Sequence, residues 1–181
     1  ADDMGLGKTF TTLVGLSEHY RLRRLKGEIE RPALVVAPLT LLSVWEKEVK
    51  LNLPDGTIDD VVLLQSDLDL GRFRNVSGSE TKQDASSKDT RFFLRIGKDK
   101  EDPLDVPRRL VITTYQALRD YQFSLGAIDW SFVVFDEAQN IKNPDTLQTR
   151  AAKGIAGKAE LSLALTGTPV ENSLGDFWCI M

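Results

Sequence analysis

The sequence predicts an α/β fold, a doubly wound and mostly parallel sheet with helices on both faces, and two observations carry that reading. Five short, nearly continuous apolar runs punctuate the chain: ALVVA at 33–37, DVVLL at 60–64, LVITT at 110–114, FVVF at 132–135 and LSLAL at 161–165. Strands covered on both faces read this way, because neither face turns polar. Stretches with apolar residues at helical spacing separate several of these runs, and such alternation builds a parallel sheet.

The first helix is expected over 9–26, with Phe10, Leu13, Val14, Leu16 and Tyr20 at helical spacing. Arg21, Arg23, Arg24 and Lys26 crowd its last turns, where positive charge opposes the helix dipole, and Gly27 can cap it. Dipole complementation explains this basic cluster better than a DNA contact does. The strand at 33–37 ends at Pro38, and a helix over 41–50 follows with Leu41, Val44, Trp45 and Val49 on one face. The strand at 110–114 leads into a helix from Tyr115. Between residues 66 and 109 the rhythm breaks. A polar insert around 71–107 reads as an exposed, partly disordered loop, with a short element at 91–96. The chain shows no internal repeat.

With 181 residues, 41% apolar and 28% charged, the chain is sized for one soluble globular domain. No apolar run nears the ~20 residues of a membrane span, and no signal-peptide pattern is present. Cys179 is the single cysteine, so no internal disulfide and no Cys/His zinc cluster can form. A reducing, intracellular setting is expected. His19, the only histidine, reads as a surface residue of the first helix. A net charge of −4 argues against coating nucleic acid by bulk attraction, and leaves room for a local DNA-binding edge. Both ends look cut, which points to a fragment of a longer chain.

Two motifs carry chemistry. The run DDMGLGKT at 2–9 ends as a phosphate-binding loop, with Gly5, Leu6, Gly7, Lys8 and Thr9. Small residues let backbone N–H groups close on an anion, the lysine brings charge to the β/γ-phosphates, and the threonine hydroxyl suits Mg²⁺. Asp2 stands where the usual pattern has glycine. The second motif, FVVFDEAQ at 132–139, is a buried strand that delivers acids to its C-terminal end, where open parallel sheets bind ligands. Asp136 would hold Mg²⁺, and Glu137 would position or deprotonate the attacking water. Alone, each motif is weak. Together they predict a site for ATP and Mg²⁺.

Further motifs follow in a fixed order: APLTLLSVWEKE at 37–48, ITTYQALRD at 112–120, DEAQNIKNP at 136–144 and LTGTPVEN at 165–172. With DDMGLGKT, the set resembles the first ATPase lobe of the Swi/Snf-type, chromatin-remodeller-related DNA translocases of helicase superfamily two. The resemblance spans the chain apart from the polar insert and implies a RecA-like P-loop NTPase lobe. DEAQ followed by IKNP is more similar to prokaryotic members. It implies that Gln139 joins Lys8, Asp136 and Glu137 in the catalytic centre. It also implies that Thr166, Gly167, Thr168 and Pro169 couple the nucleotide state to DNA grip. Pro38, Leu39, Thr40, Thr113, Thr114 and Tyr115 would line the groove that tracks one strand of double-stranded DNA, with Lys142 near a phosphate. Such contacts position a duplex without reading it.

Ser162 stands where relatives often carry arginine. The adenine-recognising segment and the second RecA-like lobe of the parent chain lie outside the sequence, so the isolated piece is expected to turn over little. The setting implied is cytoplasm or nucleoid in a prokaryote and nucleus in a eukaryote. A strand-separating helicase or a restriction-type motor of the same superfamily could use the same lobe. A silent nucleotide-binding scaffold is disfavoured by intact Lys8, Thr9, Asp136 and Glu137, and a kinase or small GTPase by LTGTP.

Overall fold

The computed structural model describes residues 7–79, 92–97 and 102–167. Five strands form one sheet in the order β2 (Asp60–Leu64), β5 (Arg109–Thr114), β1 (Ala33–Ala37), β6 (Phe132–Asp136) and β7 (Leu161–Leu165). All four pairings are parallel. The register sets Ala37 against Thr114 and Asp136 against Leu165, so the strands end on a common edge. The expectation of a parallel, doubly wound sheet holds.

Side chains alternate along each strand between two apolar layers. Helices α1 (Lys8–Lys26) and α2 (Leu42–Asn52) cover one face, burying Leu13, Leu16, Tyr20, Leu42, Trp45 and Val49 against Val35, Ile112 and Val134. Helices α4 (Tyr115–Asp120), α5 (Gln122–Gly126) and α6 (Leu147–Ala156) cover the other, over Leu34, Val111, Val133 and Phe135. Each such apolar side chain taken fully out of water contributes about 1.5–3 kcal/mol. β7, at the end of the sheet, is half exposed.

Several expectations are corrected. Phe10 and Val14 face solvent, and the apolar residues that α1 buries are Leu13, Leu16 and Tyr20. A 3₁₀ turn at Leu39–Leu41 delays α2, so its inward row is Leu42, Trp45 and Val49, with Val44 exposed. The ends of the polar insert are ordered and partly internal. After α3 (Asp67–Arg72), capped by Ser66 and Asp69, β3 (Arg74–Ser79) pairs antiparallel with β4 (Phe92–Leu94). Phe73, Leu94 and Leu104 are buried in the core, and the Leu94 N–H donates to Ser124 Oγ at 2.9 Å. The expected element at 91–96 is thus a strand; residues 80–91 and 98–101 lie outside the described residues.

His19 is partly buried rather than on the surface, its ring 5.7 Å from that of Phe132 and its Nε2 3.6 Å from Glu160 Oε2. The basic end of α1 is tied into the protein. Gly27 takes the left-handed conformation, and its N–H donates to the Arg24 carbonyl at 3.1 Å. Arg23 pairs with Glu28 and Glu160, and Arg24 with Glu30. Among the described residues no helix is long and apolar enough to cross a membrane.

Candidate functional site at the C-terminal edge of the sheet

The loop before α1 turns into the helix through Gly7, at φ 76° and ψ 21°, a left-handed conformation open to glycine at no steric cost. Among the described residues no side chain caps α1, and its first turn holds no acidic residue. The positive end of the helix dipole therefore stays available to an anion. Lys8 and Thr9 follow, half-buried. With Leu41, Val44, Trp45, Asp136 and Glu137 they line a cavity of about 130 Å³. Residues far apart in the sequence meet there because β6 brings Asp136 to the sheet edge beside the start of α1.

Asp136 is buried, and its two oxygens are each engaged. Trp45 Nε1 donates to Oδ2 at 2.8 Å, and the Glu137 N–H donates to Oδ1 at 3.0 Å. Burial pushes the Asp136 carboxyl above its ordinary 3.8, and the Glu137 charge adds to the rise. The two hydrogen bonds and the Lys8 ammonium work the other way. The result is a desolvated acid whose charge the protein cancels only in part.

Glu137 adopts φ 51° and ψ 54°, the left-handed region that costs an L-residue roughly 1–2 kcal/mol. Strain of this kind gathers at functional sites. Its side chain accepts from Gln139 Nε2 at 2.7 Å, and Gln139 Oε1 accepts from Thr166 Oγ1 at 2.8 Å. Gln139 thus bridges the acidic turn to the residue after β7. Thr168 and Pro169, like Gly5 and Leu6 of the loop, lie outside the described residues.

The residues expected at a DNA groove divide. Leu39 and Thr40 are exposed on the 3₁₀ turn beside Pro38, and Lys142 is half-buried after the acidic turn. Thr113 and Tyr115, by contrast, are buried. Thr113 Oγ1 donates to the Leu64 carbonyl at 2.8 Å, and Tyr115 Oη donates to the Asp136 carbonyl at 2.8 Å. These two side chains are withdrawn from DNA contact, because β-sheet burial claims one and the acidic turn the other. Thr114 caps α4, its Oγ1 accepting from the Ala117 N–H at 3.0 Å. Sequence reasoning missed Trp45 as a site residue, and it placed Tyr115 at the DNA groove, not at the acidic turn. The local signal at each is an aromatic side chain with a polar tip, just beyond β5 for Tyr115 and on the inward row of α2 for Trp45.

Among the described residues no group of three or more His, Cys, Asp or Glu could cage a metal ion. Mg²⁺ is commonly held by one or two carboxylates plus substrate phosphates, and Asp136 with Thr9 fits that donor set.

The SNF2-related domain family matches residues 1–181, the whole chain. The chain belongs to this family. Zorya protein ZorD of Escherichia coli O139:H28 is 37% identical over 180 residues, 99% of the chain and 15% of ZorD. Chromodomain-helicase-DNA-binding protein 1 of Gallus gallus is 30% identical, over 100% of the chain and 9% of that protein. The Sulfolobus solfataricus SWI2/SNF2 ATPase core in complex with dsDNA superposes with a TM-score of 0.64 at 31% identity, over 100% of the chain and 30% of that core. This SNF2-related chain therefore spans less than a third of each. The RecA-like lobe that the resemblance implied is the fold observed, and the bacterial relative accords with the prokaryotic expectation.

Proposed function

We propose that residues 1–181 form one ATP-binding lobe of an ATP-driven motor that moves on double-stranded DNA. The observation that supports this most is the meeting of Lys8 and Thr9 with Asp136 and Glu137 around a single cavity. Gly5, Leu6 and Gly7 with the start of α1 would cradle the phosphates, and Lys8 would neutralise charge on the β- and γ-phosphates. Thr9 and Asp136 would hold Mg²⁺, which supplies charge neutralisation and orientation of the reacting phosphate. Glu137 would orient the attacking water and accept its proton. Gln139 and Thr166 would report the state of the site to Gly167, Thr168 and Pro169. A second lobe of the parent protein would supply arginines to the transition state, an effect worth ~10³–10⁵ in related NTPases.

Pro38, Leu39, Thr40, Thr114 and Lys142 sit on or near the same edge and would meet the DNA backbone. The dsDNA bound by the Sulfolobus core supports duplex as the track. A net charge of −4 implies few phosphate contacts and a shallow salt slope for this lobe. The setting would be intracellular, cytoplasm or nucleoid in a prokaryote. The test measures ATP hydrolysis by the full-length protein against duplex concentration, at several salt concentrations and with unrelated sequences. Stimulation by any duplex is expected. Stimulation by one sequence only, or by RNA and not DNA, rejects the translocase reading, and a strand-displacement assay separates it from a strand-separating helicase.

A further inference from the structure

Both peptides that flank the strained Glu137 are pinned. On its C-terminal side, the Glu137 carbonyl accepts from the Asn140 N–H at 3.0 Å and from Asn140 Nδ2 at 2.8 Å, both within the turn. On its N-terminal side, the Asp136–Glu137 peptide is held at its N–H by Asp136 Oδ1 and at its carbonyl by Tyr115. Tyr115 comes from outside the turn. It is the first residue of α4, following β5, and it reaches past β1 to the end of β6. Trp45, from α2 on the opposite face of the sheet, takes the second oxygen of Asp136. Two helices on opposite faces therefore each send one aromatic hydrogen-bond donor to one residue.

Packing alone does not require either donor. A phenylalanine at 115 would fill nearly the same space as the tyrosine, and any large apolar side chain could plug the core at 45. What Oη and Nε1 add is direction. With Oδ2 on the indole and Oδ1 on the Glu137 N–H, the Asp136 carboxylate cannot rotate. With its carbonyl on Tyr115, the peptide cannot flip and let Glu137 relax out of the left-handed region. We infer that Trp45 and Tyr115 are positioning residues for ATP hydrolysis. Trp45 sets the metal-holding carboxylate of Asp136, and Tyr115 sets the backbone that aims Glu137 at water. This inference rests on the nucleotide-site reading above.

The two roles separate in experiment on the full-length protein. Trp45→Phe is expected to raise the Mg²⁺ concentration for half-maximal binding of a fluorescent ADP analogue about 10-fold, the usual cost of losing a partner behind a metal ligand, with kcat largely restored at saturating Mg²⁺. Tyr115→Phe should leave that midpoint and KM unchanged and lower kcat about 10-fold. Mg²⁺ and nucleotide should shift the tryptophan emission of the wild type, of Trp130→Phe and of Trp178→Phe, but not of Trp45→Phe. If both 45 and 115 variants change only the melting temperature, the inference is overturned. Asp136→Ala is the control for the reading beneath it. A control midpoint unchanged from wild type rejects the metal site itself, whereas a shifted control with unaffected 45 and 115 variants rejects the positioning roles alone. Should Trp45→Phe fail to fold, Tyr115→Phe decides the backbone role. The wild-type emission shift, with Trp130→Phe and Trp178→Phe both retaining it, then decides the role of Trp45.

Discussion

At the N-terminal ends of the five strands, charges meet in pairs. Glu160 lies against Arg23, Arg31 and His19, Arg108 against Asp59 and Glu30, and Arg109 against Asp60 and Asp102 at 2.7 and 2.9 Å. At the C-terminal ends the same sheet presents a desolvated Asp136, a strained Glu137 and a helix start that no described side chain caps. One end answers its own charges, and the other holds charges that an incoming ligand must answer. On the function proposed above, stability and chemistry fall to opposite edges of one sheet, and substitutions should divide the same way.

The sharpest break is expected at Glu137. Glu137→Gln should cut single-turnover hydrolysis ~10²–10⁴-fold, the range for losing a general base, while nucleotide affinity stays near wild type. Collapse of affinity along with hydrolysis would mean that the roles of Asp136 and Glu137 are exchanged. Lys8→Ala comes next, with turnover lower by ~10²-fold or more and the melting temperature nearly unchanged, since Lys8 serves a ligand and not the core. Steady-state rates and thermal unfolding on purified full-length variants test it, and wild-type turnover would sink the site assignment.

At the opposite edge the pattern should invert. Glu160→Gln leaves Arg23 and Arg31 without their shared carboxylate and should cost about 1–2 kcal/mol, discounted for partial exposure, with ATP turnover untouched. Chemical denaturation reads that loss, and a fall in turnover without a fall in stability would erase the division between the edges.

The smallest effect is a pH response of opposite sign at the two edges. Burial depresses the His19 pKa below 6.5, so the unfolded chain binds the proton first and stability declines as pH falls from about 6.5 toward the folded value. Burial raises the Asp136 pKa above 3.8. Its destabilising charge is fully present above the folded value and is relieved as pH falls through it. His19→Gln should remove the first decline from a pH series of melting temperatures. If the decline persists, its source lies elsewhere.

All five strands of the parallel sheet were legible as runs, β5 and β6 to within one residue, because parallel strands buried on both faces need little but apolar side chains. The ends of the insert were legible only in part. The run FFL at 92–94 marked a short element, but Phe73 and Leu104 stand outside any apolar run, and no period announces their burial. Lys8 and Asp136 stand out through local motifs, and the structure places them at one cavity. Trp45 and Tyr115 do not, because their partner Asp136 is distant in sequence and a hydrogen bond across the sheet leaves no mark on local spacing. Tyr115 was read as a groove residue because it follows a strand at the correct edge. Burial, which the run ITTY does not disclose, assigns it to the acidic turn.

β7 acts on the acidic turn by position. Its run LSLAL carries no charged side chain, and its register with β6 sets Leu165 against Asp136. The next residue, Thr166, thereby lands where its Oγ1 donates to Gln139 Oε1 at 2.8 Å. A slip of one residue along β6 would turn every side chain of the strand to the opposite face and part that bond. The tie between the acidic turn and the LTGTP run is thus ruled by strand register, through a stretch of backbone whose own side chains are all apolar or small.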